Sequence, residues 1–135
     1  MTSACAPGST QCLAGCEASL TLTVHSASAA FDTSHVYRLT FSGGLSYDIT
    51  CQDGRPSPGQ DGLVCTYADG TTPAFGAIVN GDLRFEWWLK PASFDVVVQR
   101  DGAIVGGGHV APSYADAGDV CGITCVRAEE TLDVP

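Results

Sequence analysis

Leu83-Arg84-Phe85-Glu86-Trp87-Trp88-Leu89-Lys90 decides the fold class. Read with a period of two, Leu83, Phe85, Trp87 and Leu89 share one face, and Arg84, Glu86, Trp88 and Lys90 share the other. Successive side chains of a strand point to opposite sides of its sheet, so this alternation predicts a half-buried strand. Asn80-Gly81 lies just before it, a pair that accepts the positive φ angles of a tight hairpin turn. Both tryptophans of the chain fall here, so the largest packets of buriable area lie on or beside this stretch. The expectation is the central strand of an all-β domain.

Similar patterns recur outward from it. Leu20, Leu22 and Val24 alternate with Thr21, Thr23 and His25; Tyr37, Leu39 and Phe41 alternate with Arg38 and Thr40. After Gly43-Gly44, Tyr47, Ile49 and Cys51 alternate with Asp48 and Thr50. Residues 52–62 hold two prolines and three glycines and no aliphatic side chain, which predicts a surface loop. Leu63, Cys65 and Tyr67 follow, then an Asp69-Gly70 turn. Beyond the central stretch, Pro91 ends the strand, and Phe94, Val96 and Val98 form the next inward set. Asp101-Gly102 predicts a hairpin into residues 103–105, followed by a flexible Gly106-Gly107-Gly108, and the last strand spans about 123–134. The sum is eight or nine short strands without helical periodicity, predicting a disulfide-stapled antiparallel β-sandwich of prealbumin or immunoglobulin type over residues 19–135. Phe85, Trp87, Leu89, Phe94, Val96 and Val98 are the expected centre of its core.

The chain's 135 residues suffice for one domain with a true core and not for two ordinary ones. A net charge of −9, with Lys90 the only lysine, repels phosphates and anionic headgroups, which argues against nucleic acid and leaves the membrane only through an N-terminal lipid anchor. Seven cysteines, with no C-x2-C pair, argue for disulfides in an oxidising compartment rather than a zinc ribbon. An export signal is expected on the natural precursor.

Cys51 and Cys65 share the inward phase of strands flanking the 52–62 loop and are expected to pair. Cys121 and Cys125 would lie about 13 Å apart in a straight strand, too far for one disulfide. Either Gly122 turns the chain so that they pair, or each joins Cys12 or Cys16; the cross-pairing is the favoured expectation. Residues 1–18 read as a linker or tether. Within it, Thr2-Ser3-Ala4-Cys5 resembles the end of a bacterial lipobox without its leucine, leaving Cys5 either a lipidation candidate or an ordinary cysteine.

Phe94-Asp95-Val96-Val97-Val98 and the Arg100-Asp101-Gly102 turn, with the later cysteine-bearing strand, resemble transthyretin-like (carboxypeptidase-regulatory-like) domains of bacterial cell-surface lipoproteins. The resemblance covers roughly the last 50 residues, and Ala103 stands where the family carries an aromatic. It implies a prealbumin-like sandwich with no catalytic residues to carry over.

No G-x-S-x-G, H-E-x-x-H, phosphate-loop or EF-hand pattern occurs. Asp-Gly at 53–54, 61–62, 69–70 and 101–102 reads as turn punctuation, because a lone carboxylate does not make a calcium loop. The expectation is therefore a non-enzymatic, exported cell-surface module without cofactor or metal, whose partner is a protein or a glycan. Trp88 on the polar face beside Arg84 and Glu86 is the candidate contact, with the 52–62 loop as its neighbour; a covering loop or second sheet is the structural alternative. One rival is a carbohydrate-binding module using Trp88, Arg84 and Glu86. Another is a small secreted metal-binding protein or hydrolase built on His25, His35 and His109.

Overall fold

A computed structural model of the chain describes residues 15–54, 62–70, 75–79 and 81–135. It is all-β, and among the described residues there is no helix, hence none long and apolar enough to cross a membrane. The described residues form ten strands: β1 (Leu20–Ser26), β2 (Tyr37–Gly43), β3 (Tyr47–Asp53), β4 (Leu63–Tyr67), β5 (Phe75–Val79), β6 (Asp82–Trp87), β7 (Phe94–Arg100), β8 (Ala103–Val110), β9 (Ala115–Val120) and β10 (Ile123–Val134). They make two five-stranded sheets, ordered β5-β6-β1-β10-β9 and β4-β3-β2-β7-β8.

The inward phases expected from the alternation hold. Leu20, Leu22 and Val24, then Tyr37, Leu39 and Phe41, then Phe94, Val96 and Val98 are all buried between the sheets. Phe41 stands at the centre of the aromatic packing, edge-on to Phe85 and Trp87 at 6.3 and 5.4 Å between ring centroids. Such perpendicular contacts place the positive ring edge against a negative face, which adds to the burial itself. The Asp101-Gly102 pair makes the β7–β8 turn with φ of 51° and 87°, as a hairpin twisted to match its strands requires. At the other predicted hairpin, Val79 pairs with Asp82 across Asn80-Gly81.

Several expectations are corrected. The quoted strand ends at Trp87 rather than Lys90, and Leu89 is 45% exposed, so it leaves the core set. β6 is second in its sheet, and β1 is the middle strand. The sandwich is not wholly antiparallel, because β1 runs parallel to β10 from Leu20 opposite Ala128 to Ser26 opposite Val134. The strand missing from the expected nine is β9: it is exposed along its length except for half-buried Val120, so no inward alternation marks it.

The triglycine is not a flexible link but part of β8, which contacts β10 of the opposite sheet. A Cβ on Gly106 would come within 2.7 Å of Val134 Cβ, and one on Gly108 within 2.8 Å of Leu132 Cδ1. Real Cβ atoms do not approach that closely, so these glycines let two backbones close one side of the sandwich.

Cys51 and Cys65 are directly opposite in the β3–β4 register and disulfide-bonded, their Cα atoms 4.0 Å apart. Cys16 bonds Cys125 across 109 residues of sequence. Cys121-Gly122 does turn the chain, with φ of 55° and 76° and Val120 paired to Ile123, yet Cys125 joins Cys16 and not Cys121. Cys121 is also disulfide-bonded, and no described cysteine is free. Cys5 and Cys12 lie outside the described residues.

Candidate functional site

β6 carries the first two candidates. Arg84 and Glu86 occupy its outward positions, opposite Thr23 and Thr21 of β1, and both are half-buried. Thr21 is only 3% exposed although it points away from the core, and its Oγ1 has no hydrogen-bond partner among the described residues. The Nε atoms of Arg84 and Arg127 are likewise buried and unpartnered among the described residues. Arg127 instead directs its guanidinium to Glu17 at 2.8 Å, tying residue 17 to β10.

Trp88 follows where the strand has stopped, and the residue is 56% exposed. Among the described residues the second sheet does not bury it, and the segment at Cys16 meets only one end of it. Its Nε1 donates a 2.9 Å hydrogen bond to the carbonyl of Cys16. The polar end of the indole is thus spent on the disulfide-pinned segment, while most of the ring faces solvent beside exposed Leu89 and Lys90.

Cys16 also belongs to an adjoining cleft of about 380 Å³ lined by Gly15, Glu17, Val120, Cys125 and Arg127. The disulfide is part of its lining, and the Arg127–Glu17 pair offers both charge signs. Residues 55–61 of the loop expected beside Trp88 lie outside the described residues.

A second concavity, about 410 Å³, opens where β3 begins and β4 ends, lined by Ser46, Tyr47, Asp48, Tyr67, Ala68 and Asp69. The Tyr47 and Tyr67 rings are 4.7 Å apart and tilted by 32°, and Tyr47 lies nearly parallel to Trp87 at 6.3 Å. Trp87 Nε1 donates to the Tyr67 hydroxyl oxygen at 3.0 Å. Burial pushes the Tyr67 phenol above its ordinary value; the Trp87 bond opposes this, and Tyr47 and Asp69 add to it. Asp48 is held below the usual carboxylate range by the Arg38 guanidinium, which grips both of its oxygens. The sequence does not disclose this aromatic groove: alternation marks Tyr47 and Tyr67 as inward positions, and nothing in their spacing says that they end at an opening.

The three histidines do not meet. His25 Nδ1 lies 2.7 Å from Asp82 between β1 and β6, His35 2.6 Å from Asp101 at the β7–β8 turn, and His109 2.9 Å from Asp95 between β7 and β8. His25 and His109 are exposed and His35 half-buried, each is bonded to a different aspartate, and no group of three or more metal-ligating side chains occurs among the described residues. The three histidines thus share no side-chain cluster among the described residues. Asp82 raises the pKa of His25 through a hydrogen bond and its charge, and Asp133 adds to this. Asp101 is lowered, first by the Val36 backbone N–H and then by His35.

Comparison of the chain with protein families, curated proteins and solved structures finds no match.

Proposed function

We propose that this chain is a non-enzymatic interaction module, exported to an oxidising compartment and held at a bacterial cell surface through its N-terminal segment. Two disulfides, one clasping neighbouring strands and one tying residue 16 to β10, suit such a compartment, where thiols persist in the oxidised form. The transthyretin-like resemblance of residues 94–102 belongs to this reading.

One observation carries the binding role: a tryptophan more than half exposed whose indole N–H is fixed to the disulfide-pinned segment. A large aromatic held rigidly in water loses little conformational entropy on docking, and tryptophan dominates binding hot spots for that reason. Arg84 and Glu86 extend the surface along β6, and the cleft beside Cys16 borders it. The same exposed ring with a charged pair nearby also favours the second reading, a glycan partner rather than a protein.

The test is binding of the purified protein to isolated cell envelopes, with Trp88→Ala as the comparison. A hot-spot indole contributes about 2 kcal/mol or more, so the variant should bind at least roughly thirtyfold more weakly while keeping its melting temperature. Equal binding by the variant, or none by the parent, contradicts the proposal. A glycan array sorts the partner class, a saccharide signal lost in Trp88→Ala assigning a glycan.

A further inference from the structure

The two sheets turn different outer faces to solvent. On the first, Asp82, Glu86, Glu129 and Asp133 stand against Arg84 and Arg127, in a chain whose net charge is −9. On the second, directly opposed residues share a face, and the register aligns Ile104, Gln99, Arg38, Thr50 and Thr66 in one row across all five strands. Val97, Thr40 and Asp48 form the row beside it. Their chain neighbours Leu39, Ile49, Cys65 and Val98 are buried in the core, so both rows point outward.

Arg38 grips both oxygens of Asp48, so the two rows carry no net charge. The aspartates at either end are paired as well, Asp95 with His109 at 2.9 Å and Asp101 with His35 at 2.6 Å. Within this balanced surface Ile104 is 69% exposed and Val97 38%. Five of the eight side chains are β-branched and stiff at χ1, so the face gives up little conformational entropy when something docks on it. The rows hold no aromatic ring, the feature that gives the Trp88 surface its contact.

We infer that this outer face of β4-β3-β2-β7-β8 pairs with the same face of a second copy of the chain, forming a weak two-fold dimer. A two-fold interface sets one patch against itself, so a patch with net charge repels its own copy. The first sheet's acidic outer face fails that condition, and the balanced face of the second sheet meets it. Two such faces stack through one layer of side chains from each, as the sheets of a sandwich do. Five strands about 4.8 Å apart, each about six residues long, span roughly 25 by 20 Å, or about 1,000 Å² over two copies, the lower end for a specific interface. The dimer is accordingly transient.

The experiment is sedimentation velocity on the full disulfide-bonded chain from about 10 μM to about 1 mM, where a small interface should show a concentration-dependent dimer. Raising NaCl from about 0.05 to about 0.5 M should strengthen it, because salt screens the repulsion between two acidic copies. An association held by ion pairs between copies would weaken instead. Val97→Asp and Ile104→Asp each put one unpaired charge per copy into the contact and should weaken the dimer at least about tenfold. Both positions are exposed, so the melting temperature should hold; should either variant fail to fold, Thr40→Asp, opposite Val97, takes its place. Ile123→Asp, on the hairpin of the other sheet, and Trp88→Ala should leave the dimer unchanged, so this inference and the envelope-binding role stand or fall separately. A dimer that salt weakens, one that Val97→Asp and Ile104→Asp leave intact, or one lost in Ile123→Asp or Trp88→Ala overturns the inference. So does a monomer throughout, whether or not its retention on an insoluble polysaccharide then assigns the face to a glycan.

Discussion

The sandwich body and the β9–β10 hairpin are built on opposite principles. In the body, β1, β2, β6 and β7 bury every second side chain, and Phe41, Phe85, Trp87 and Phe94 pack ring on ring. In the projecting part of the hairpin, residues 115–127, β9 is exposed almost throughout, Ile123 is 64% exposed, and Cys125 is the one buried side chain. Apolar area holds the first in place. The second has almost none to bury, and covalent bonds from Cys125 and Cys121 hold it instead. A chain can thus extend a strand pair past its core where cysteines replace the missing hydrophobic face.

The largest expected effect lies in the body. Trp87→Ala should cost about 3–5 kcal/mol in denaturant unfolding, the range for deleting a buried aromatic. Its sequence neighbour gives the sharpest contrast, because Trp88→Ala should stay within about 0.5 kcal/mol. A reversal of the two would break the strand phase on which the body rests.

Replacing Cys51 and Cys65 together by alanine removes a bond closing a 14-residue separation, and about 3 kcal/mol of stability should go with it through the unfolded state. The close approach of β8 to β10 sets the next effect. Gly106→Ala should cost about 1–3 kcal/mol, because the added methyl meets the branched Cβ of Val134. Gly108→Ala should cost less, since it meets only the rotatable end of Leu132. Equal costs at both sites would mean that the sandwich does not close through these glycines.

The smallest effect is a pH dependence. His25 has its pKa raised by Asp82, so its pairing stabilises the fold fully below its unfolded value of about 6.5 and loses this as pH rises through the folded value. His25→Gln should therefore lower the melting temperature more at about pH 5.5 than at about pH 8.5. A larger deficit at the higher pH would contradict the pairing.

The same contrast explains what the sequence disclosed. Leu22, Leu39, Phe85 and Val98 announce their faces because burial on one side of a sheet enforces a period of two. Cys51 and Cys65 were legible as a pair since their phase and the loop between them agree. The phase of residues 83–87 was readable, but not its end: Trp88 and Leu89 continue the pattern although the chain has left the sheet. Ala115 to Val120 carries no alternation because neither face is covered. The parallel β1–β10 pairing joins residues more than 100 apart, which local patterns do not encode. For the candidate sites, the outward placement of Arg84 and Glu86 was legible, whereas the anchoring of Trp88 by Cys16 depends on a disulfide partner that spacing alone left open.

Hydrogen exchange, read by mass spectrometry on the oxidised protein and after mild reduction, tests the contrast most directly. The Cys51–Cys65 sulfurs are buried in the body and should resist a reductant that opens Cys16–Cys125, which mass mapping verifies. The account predicts that amides of residues 115–127 then exchange at least about tenfold faster, while β1, β2, β6 and β7 keep their protection. Unchanged protection of residues 115–127 once Cys16–Cys125 is open, or an equal loss across hairpin and body, would contradict it.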